Sequence, residues 1–153
     1  MRNRMAITAF FLAASLNMFA GALPDQQPAI CRIGVHYMPT ADIPTGGWSL
    51  QIMEQPEAPS AFFHGKNNSM IPWQQVEADV PRLYQLAKKT IEDFKASPIP
   101  SDFSMPPATV TISIQVGAEG IQITQALWEP PKAGTAIAEL IALCKKHSPE
   151  RTE

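Results

Sequence analysis

The side chains that most readily bind metals or act as nucleophiles are few in this sequence, and they lie far apart. There are three histidines and two cysteines. The histidines His36, His64 and His147 fall in different predicted elements, and none of them repeats the spacing of a zinc motif. A soft copper site at His36 and Met38 is an alternative, but methionine is also ordinary core material. The sequence therefore predicts no metal site and no cofactor.

No arrangement typical of catalysis is found either. The sequence lacks a G-x-S-x-G turn, and no glycine-rich loop leads from a strand into a helix. Glu92 and Asp93 are paired acids, but neighbouring residues of a helix point in different directions and are typical of a solvated surface. We therefore expect a non-catalytic protein and predict no catalytic residue. A hydrolase whose site follows no recognisable motif is the alternative.

The segment from residue 62 to residue 73, FFHGKNNSMIPW, is the most site-like part of the chain. It places hydrogen-bonding side chains between aromatic residues, a combination that is common at protein-binding surfaces. The candidate binding residues are Phe62, Phe63, His64, Lys66, Asn67, Asn68 and Trp73. The alternative is a plain solvent-exposed connection whose aromatic side chains are buried in the core.

The first residues predict export. Arg2 and Arg4 precede a mostly apolar run of 16 residues, Met5 to Ala20, and small residues follow. This is the layout of a secretory signal peptide, and the run is shorter than the ~20 residues of a typical membrane span. We expect cleavage after Ala22; the alternative is an uncleaved anchor helix. The predicted domains are a signal peptide at 1–22, a flexible leader at 23–29, a single domain at 30–148 and a disordered tail at 149–153.

Export also decides how the two cysteines are interpreted. Cys31 and Cys144 are the only possible intramolecular pair, and oxidising compartments favour such bonds. Cys31 shares one face of a predicted strand with Ile33 and Val35, and Cys144 lies on the apolar stripe of the last predicted helix, so both are expected to face the core. A disulfide that closes so long a loop would stabilise the fold by about 4 to 5 kcal/mol in the chain-entropy model. The alternative is two free, buried thiols.

The balance of charge excludes some classes of partner. Removing 22 of the 153 residues leaves 131, with 10 basic residues against 14 acidic ones and a formal charge of −4. The sequence has no basic stretch with interleaved aromatic residues, which argues against nucleic acid as a partner. The same argument applies to an anionic membrane surface. A chain of this length forms one domain with a modest core.

Alternation and helical spacing of apolar residues predict a small α+β domain. The predicted strands cover residues 30–38, 48–54 and both arms of a hairpin at 109–124. The predicted helices cover 80–94, with Asp79 as an N-cap, and 135–147, with Thr135 as an N-cap. Residues 55–72 carry turn formers and predict a long irregular connection. The resulting order is ββαββα, which most simply makes a four-stranded, mainly antiparallel sheet with two helices on one face.

These observations predict a small exported protein that acts by binding, most simply another protein, as inhibitors, immunity proteins and accessory subunits do. We expect it in the periplasm or outside the cell, without a stable membrane anchor after cleavage. Contacts could come from segment 62–73 or from the open face of the sheet, which would carry Thr111, Ser113, Gln115, Gln122 and Thr124. A carrier that holds a small ligand or a metal between the sheet and the helices is a second hypothesis.

Overall fold

The computed structural model describes residues 32–40, 46–55, 57–97 and 106–149. The predicted signal peptide, the predicted leader and Cys31 lie outside these residues, and so does the predicted tail beyond Pro149. The signal peptide, the leader and the tail therefore stay predictions.

The described residues form one antiparallel sheet of six strands, in the spatial order β4-β3-β2-β1-β5-β6. The strands are β1 Arg32–Pro39, β2 Trp48–Met53, β3 Ser60–His64, β4 Ser69–Ile71, β5 Ala108–Val116 and β6 Glu119–Leu127. β5 and β6 form the predicted hairpin, in which Val116 pairs with Glu119 across a two-residue turn. Gly117 begins that turn with a φ of 58°, a conformation that glycine adopts without strain.

The prediction of four strands was wrong, because residues 55–72 are not an irregular connection. They contain the β3–β4 hairpin, so the described elements run ββββαββα along the chain. β3 has five residues and β4 has three, which is too short for an alternating pattern to stand out. The adjacent aromatic residues Phe62 and Phe63 hide the alternation further, although they point to opposite faces of the sheet.

Two helices complete the fold, and both lie close to their predicted positions. A single helical turn at Trp73–Val76 and a 3₁₀ turn at Glu77–Asp79 lead into helix α1, Val80–Ala96, and helix α2 spans Ala136–Lys146. α1 has proline in its first turn, where a missing N–H costs no hydrogen bond. The hydroxyl of Thr135 accepts a hydrogen bond from the backbone N–H of Ala138, which confirms the predicted N-cap of α2.

The core lies between the two helices and one face of the sheet. Residues of alternate positions, such as Ile33 and Val35 of β1 or Ile112 of β5, are buried in the same cluster as Leu83 of α1 and Leu140 of α2. The period of two along each strand places all the intervening residues on the opposite face. The domain therefore has two layers, one of sheet and one of helices.

Asp79 does not cap α1 with its side chain, although it precedes the helix as predicted. Its carboxylate binds the end of the other helix instead: the Nζ of Lys146 donates to Oδ2 at 2.6 Å, and the Nε2 of His147 lies 2.9 Å from the same oxygen. The hydrogen bond from Lys146 is the main cause that lowers the pKa of Asp79, and burial opposes it. The two helices are thus joined at this point by a partly buried ionic contact.

Replacing Asp79 by asparagine is expected to destabilise the fold by about 1 kcal/mol at pH 7, because an ionic hydrogen bond is lost. Since the pKa of Asp79 is lower in the folded state, its contribution is present above the unfolded pKa and is lost as the pH falls through the folded pKa. Urea midpoints of Asp79→Asn and wild type should therefore converge below about pH 4.

Asp93→Asn is the matched control for this experiment. Asp93 pairs with Lys89 on the exposed surface of α1, four residues earlier in the same helix. Such pairs contribute less than about 0.5 kcal/mol. Equal urea midpoints for Asp79→Asn and wild type at pH 7 would contradict a stabilising role for the Asp79 contact.

Candidate binding surface

The face of the sheet that points away from the helices is covered by no described helix or strand. We call this surface the open face. One row of directly paired residues crosses all six strands of it: Met70, Phe62, Gln51, Gly34, Ser113 and Gln122. The neighbouring row consists of His64, Ser49, His36, Thr111 and Thr124.

The structure separates the residues of the predicted binding segment. Phe62 and His64 lie on the open face, with ring centroids 4.2 Å apart, whereas Phe63 points into the core and is 3 % exposed. Lys66, Asn67 and Asn68 are exposed in the turn between β3 and β4. That turn is held by a hydrogen bond from the backbone N–H of Gly65 to the Oδ1 of Asn68. Trp73 is half-buried and packs against the core.

The two contact surfaces suggested by the sequence therefore meet on one face. Phe62 of β3 stands in the same row as Ser113 and Gln122 of the β5–β6 hairpin, and His64 stands in the same row as Thr111 and Thr124. The remaining predicted residue, Gln115, lies on the same face and is exposed.

Two histidines that are far apart in sequence become neighbours in this arrangement. His36 and His64 pair with Ser49 from opposite sides, so the three residues form a row across β1, β2 and β3. Both histidines are exposed, but Ser49 between them is only 9 % exposed. The alternation of β1 alone puts His36 on the side opposite Ile33 and Val35, yet only the pairing of the strands brings it beside His64.

Some side chains near the centre of the open face are small or absent. Gly34 of β1 sits between Gln51 and Ser113. A Cβ at position 34 would lie 2.5 Å from the Oγ of Ser113, so glycine is the residue that fits without movement of the serine. On the outer side of β5, the hydroxyl oxygens of Thr111 and Thr124 lie 2.9 Å apart. Gly34 thus leaves a gap in the row of side chains between Gln51 and Ser113.

The open face carries little charge and several methionines. Arg32 is the one permanently charged residue among the described strand residues that point outward there, and its guanidinium lies 3.4 Å from the sulfur of Met53. Met38 and Met70 are 51 % and 70 % exposed. Aromatic residues, methionine and arginine are enriched in protein interfaces, and lysine, aspartate and glutamate are depleted.

The opposite, core side carries a second aromatic group. Trp48 is stacked between Tyr37 and Phe63, with ring centroids 5.7 and 5.9 Å away. The indole Nε1 of Trp48 is buried and finds no hydrogen-bond partner among the residues that the structure describes, and the same holds for the Nε1 of Trp128. A buried donor without a partner costs free energy. A ligand atom that accepted a hydrogen bond from the Trp48 indole would remove this cost.

Cys144 is free and fully buried in the structure. Burial raises the pKa of its thiol, so the reactive thiolate is scarce in the folded protein. Its predicted partner, Cys31, lies outside the described residues, and the disulfide stays a prediction. Across residues 32–40, 46–55, 57–97 and 106–149, no cluster of three or more His, Cys, Asp or Glu side chains has the closeness needed to hold a metal ion.

Comparisons with known proteins identify no relative of this chain. Neither the protein-family models, nor the curated proteins, nor the solved structures include a match to this chain. Within the part of the chain that the structure describes, no helix combines the length and the apolar character needed to span a bilayer.

Proposed function

We propose that this chain is an exported, non-catalytic binding protein that engages another protein through the open face. The observation that carries the proposal is the composition of that face. It exposes Met70 and Met38 and leaves Phe62 partly exposed, but its described strand residues include no lysine, aspartate or glutamate. An antiparallel sheet commonly leaves one polar face in water, whereas this face adds large apolar side chains to its uncharged polar ones.

The geometry supports one contact zone rather than several. Phe62 and Met70 are directly paired at one end of the sheet, and Gln51 lies between Phe62 and Gly34 in the same row. Clustered large side chains of this kind are where the binding energy of a protein interface is commonly concentrated. Arg32 at the margin supplies a guanidinium for a hydrogen-bond acceptor of the partner. The partner class that we propose is a protein of the same compartment, in an inhibitor, immunity or accessory-subunit relationship.

Substitutions on the open face test the proposal. The chain purified from its host is used as bait for proteins of the native envelope, and affinity for the recovered stoichiometric partner is measured. Phe62→Ala and Met70→Lys are each expected to weaken binding at least about tenfold, as loss of a hot-spot side chain does. Met70 is 70 % exposed, so its substitution leaves the core intact.

Gln85→Lys is the matched control, because Gln85 is exposed on the helix layer, away from the sheet. Its affinity for the same partner should equal that of wild type. Recovery of no stoichiometric partner, or wild-type affinity in both open-face variants, would refute the proposal.

A second candidate function is transport of a small ligand between the sheet and the helices, and the unpaired indole of Trp48 is the observation that favours it. Native mass spectrometry of the chain from its host separates the two functions. The binding-protein proposal expects the bare mass of the chain, whereas a carrier would retain a bound molecule. A ligand that disappears in Trp48→Phe, which keeps the aromatic stack but lacks the N–H, would favour the carrier.

A further inference from the structure

The two edges of the sheet are very different. β4 is an edge strand of three residues, whereas β6 at the other edge has nine. β6 pairs with β5 over its whole length: the first pair joins Ala108 to Leu127, the last joins Val116 to Glu119, and no residue between them is skipped. Alternate residues of an antiparallel edge strand direct their N–H and C=O groups away from the sheet, and none of the strands in the described residues pairs with the outer side of β6.

β6 lacks the usual features that prevent edge-to-edge association. Natural edge strands are protected by charged residues, proline, bulges or short length. Between Gly120 and Leu127 the sequence GIQITQAL has no charged residue and no proline, and the regular register leaves no bulge. The outer side of β6 is therefore competent to receive another strand.

The core side of β6 is also incompletely covered. The helices approach β1, β3 and β5 most closely. Ile121 is 37 % exposed, and Ile123 and Leu127 are only half-buried where they meet the core. An incoming strand must therefore satisfy backbone groups and at the same time cover apolar side chains on the helix side of the sheet.

We propose that the occupant of this edge is a second copy of the chain, paired antiparallel through β6 about a two-fold axis at Ile123. Because β6 runs from residue 119 to residue 127, full overlap of the strand with its copy is centred on residue 123. Ile123 then faces Ile123 of the partner, and Gln122 faces Thr124 of the partner on the open side. The six-stranded sheet continues across the dimer.

A second copy meets both requirements of the edge. With the axis perpendicular to the sheet, the helix layers of both copies lie on the same side. On that side Ile123 meets Ile123 of the partner, and Ile121 lies diagonally beside it, within reach of a cross-strand contact. The isologous contact is self-complementary, as two-fold symmetry demands. The acidic Glu119 of each copy lies at an opposite end of the paired strands, about 27 Å from its counterpart at ~3.4 Å per residue, so like charges do not meet.

A charge-swap pair of variants tests this register. In Gln122→Lys/Thr124→Lys, each new lysine faces a lysine of the partner, whereas in Gln122→Lys/Thr124→Glu each lysine faces a glutamate. Both variants alter the same positions, and both remove the same contact between Thr111 and Thr124. Like charges directly opposite across strands are destabilising and opposite charges are stabilising.

Sedimentation equilibrium of the chain from its host is expected to give a dimer mass at ~10 µM wild type. The dissociation constant should rise at least about tenfold in the lysine–lysine variant and stay within about threefold of wild type in the lysine–glutamate variant. A monomeric wild type at ~100 µM, one copy with a bound peptide, or equal dissociation constants of the two variants would overturn the proposal. The readout is mass, so its failure is distinct from failure of the proposed binding function.

Discussion

Replacing Leu140 by alanine is expected to reduce the free energy of unfolding by about 3 to 4 kcal/mol. Leu140 is 0 % exposed and lies where α2 meets the core cluster. Removal of its side chain loses buried apolar area and leaves a cavity that rigid neighbours fill only in part. The free energy of unfolding of a small domain is only ~5 to 15 kcal/mol, so this single change removes a large fraction of it. Urea unfolding followed by circular dichroism measures it.

Leu143→Ala in the same helix is the matched control. Leu143 is chemically identical but only half-buried at the margin of the core. Its truncation is expected to cost about 1 kcal/mol, because the site stays open to water and little cavity forms. Equal losses for the two variants would contradict the placement of α2, since a helix rotated about its axis would bury both leucines alike.

Reduction of the predicted Cys31–Cys144 disulfide is the second change with a large expected effect. In the chain-entropy model the bond restrains the unfolded chain by about 4 to 5 kcal/mol. Protein purified without reductant is expected to show no reactive thiol when denatured, and its urea midpoint should fall after treatment with dithiothreitol. Denaturation is required for the thiol assay, because Cys144 is fully buried and its thiolate is suppressed in the folded state.

Cys31→Ala supplies the control for the disulfide. This variant should lose the same stability without reductant and should not respond to reductant at all, because it cannot form the bond. Two thiols in the denatured wild type, together with a urea midpoint that dithiothreitol leaves unchanged, would contradict the disulfide. Cys144 would then be a free core residue, as it is in the structure.

The stability of the helix layer bears directly on the candidate surface. The helices cover one face of the sheet, so the core holds the strands in register from one side only. The register in turn sets which residues stand together on the open face, since a slip of one residue reverses every side chain of a strand. Loss of Leu140 or of the predicted disulfide is therefore expected to affect binding through stability, whereas Phe62→Ala and Met70→Lys affect it directly.

Long regular patterns in the sequence were sufficient for most of the elements. The alternation at residues 48–53 and 108–116 and the spacing of apolar residues at 80–94 each predict an element that the structure contains. The Thr135 cap was also predictable, because capping is a local interaction between residues three apart. β3 and β4 were missed, since short strands draw their stability from neighbouring strands rather than from a pattern of their own.

The candidate site was only partly predictable for a related reason. Residue types alone pointed to Phe62 and His64, but they pointed equally to Phe63, which is buried. Asp79 was expected to cap its own helix, whereas its carboxylate binds Lys146 and His147 across the helix interface. In both cases a residue distant in sequence decides the outcome, and no local pattern contains that information.

The sequence by itself determined the class of the domain, the two helices and four of the strands, because these depend on the periods of apolar residues along the chain. Only the tertiary structure decided that six strands form one sheet, that His36 and His64 stand on either side of Ser49, and that β6 is left as a long edge strand whose one charged residue, Glu119, lies at its end. These features depend on strand order and register, which arise from contacts between residues far apart in the chain. The open face and the β6 edge therefore follow from how the elements pair and not from any one of them.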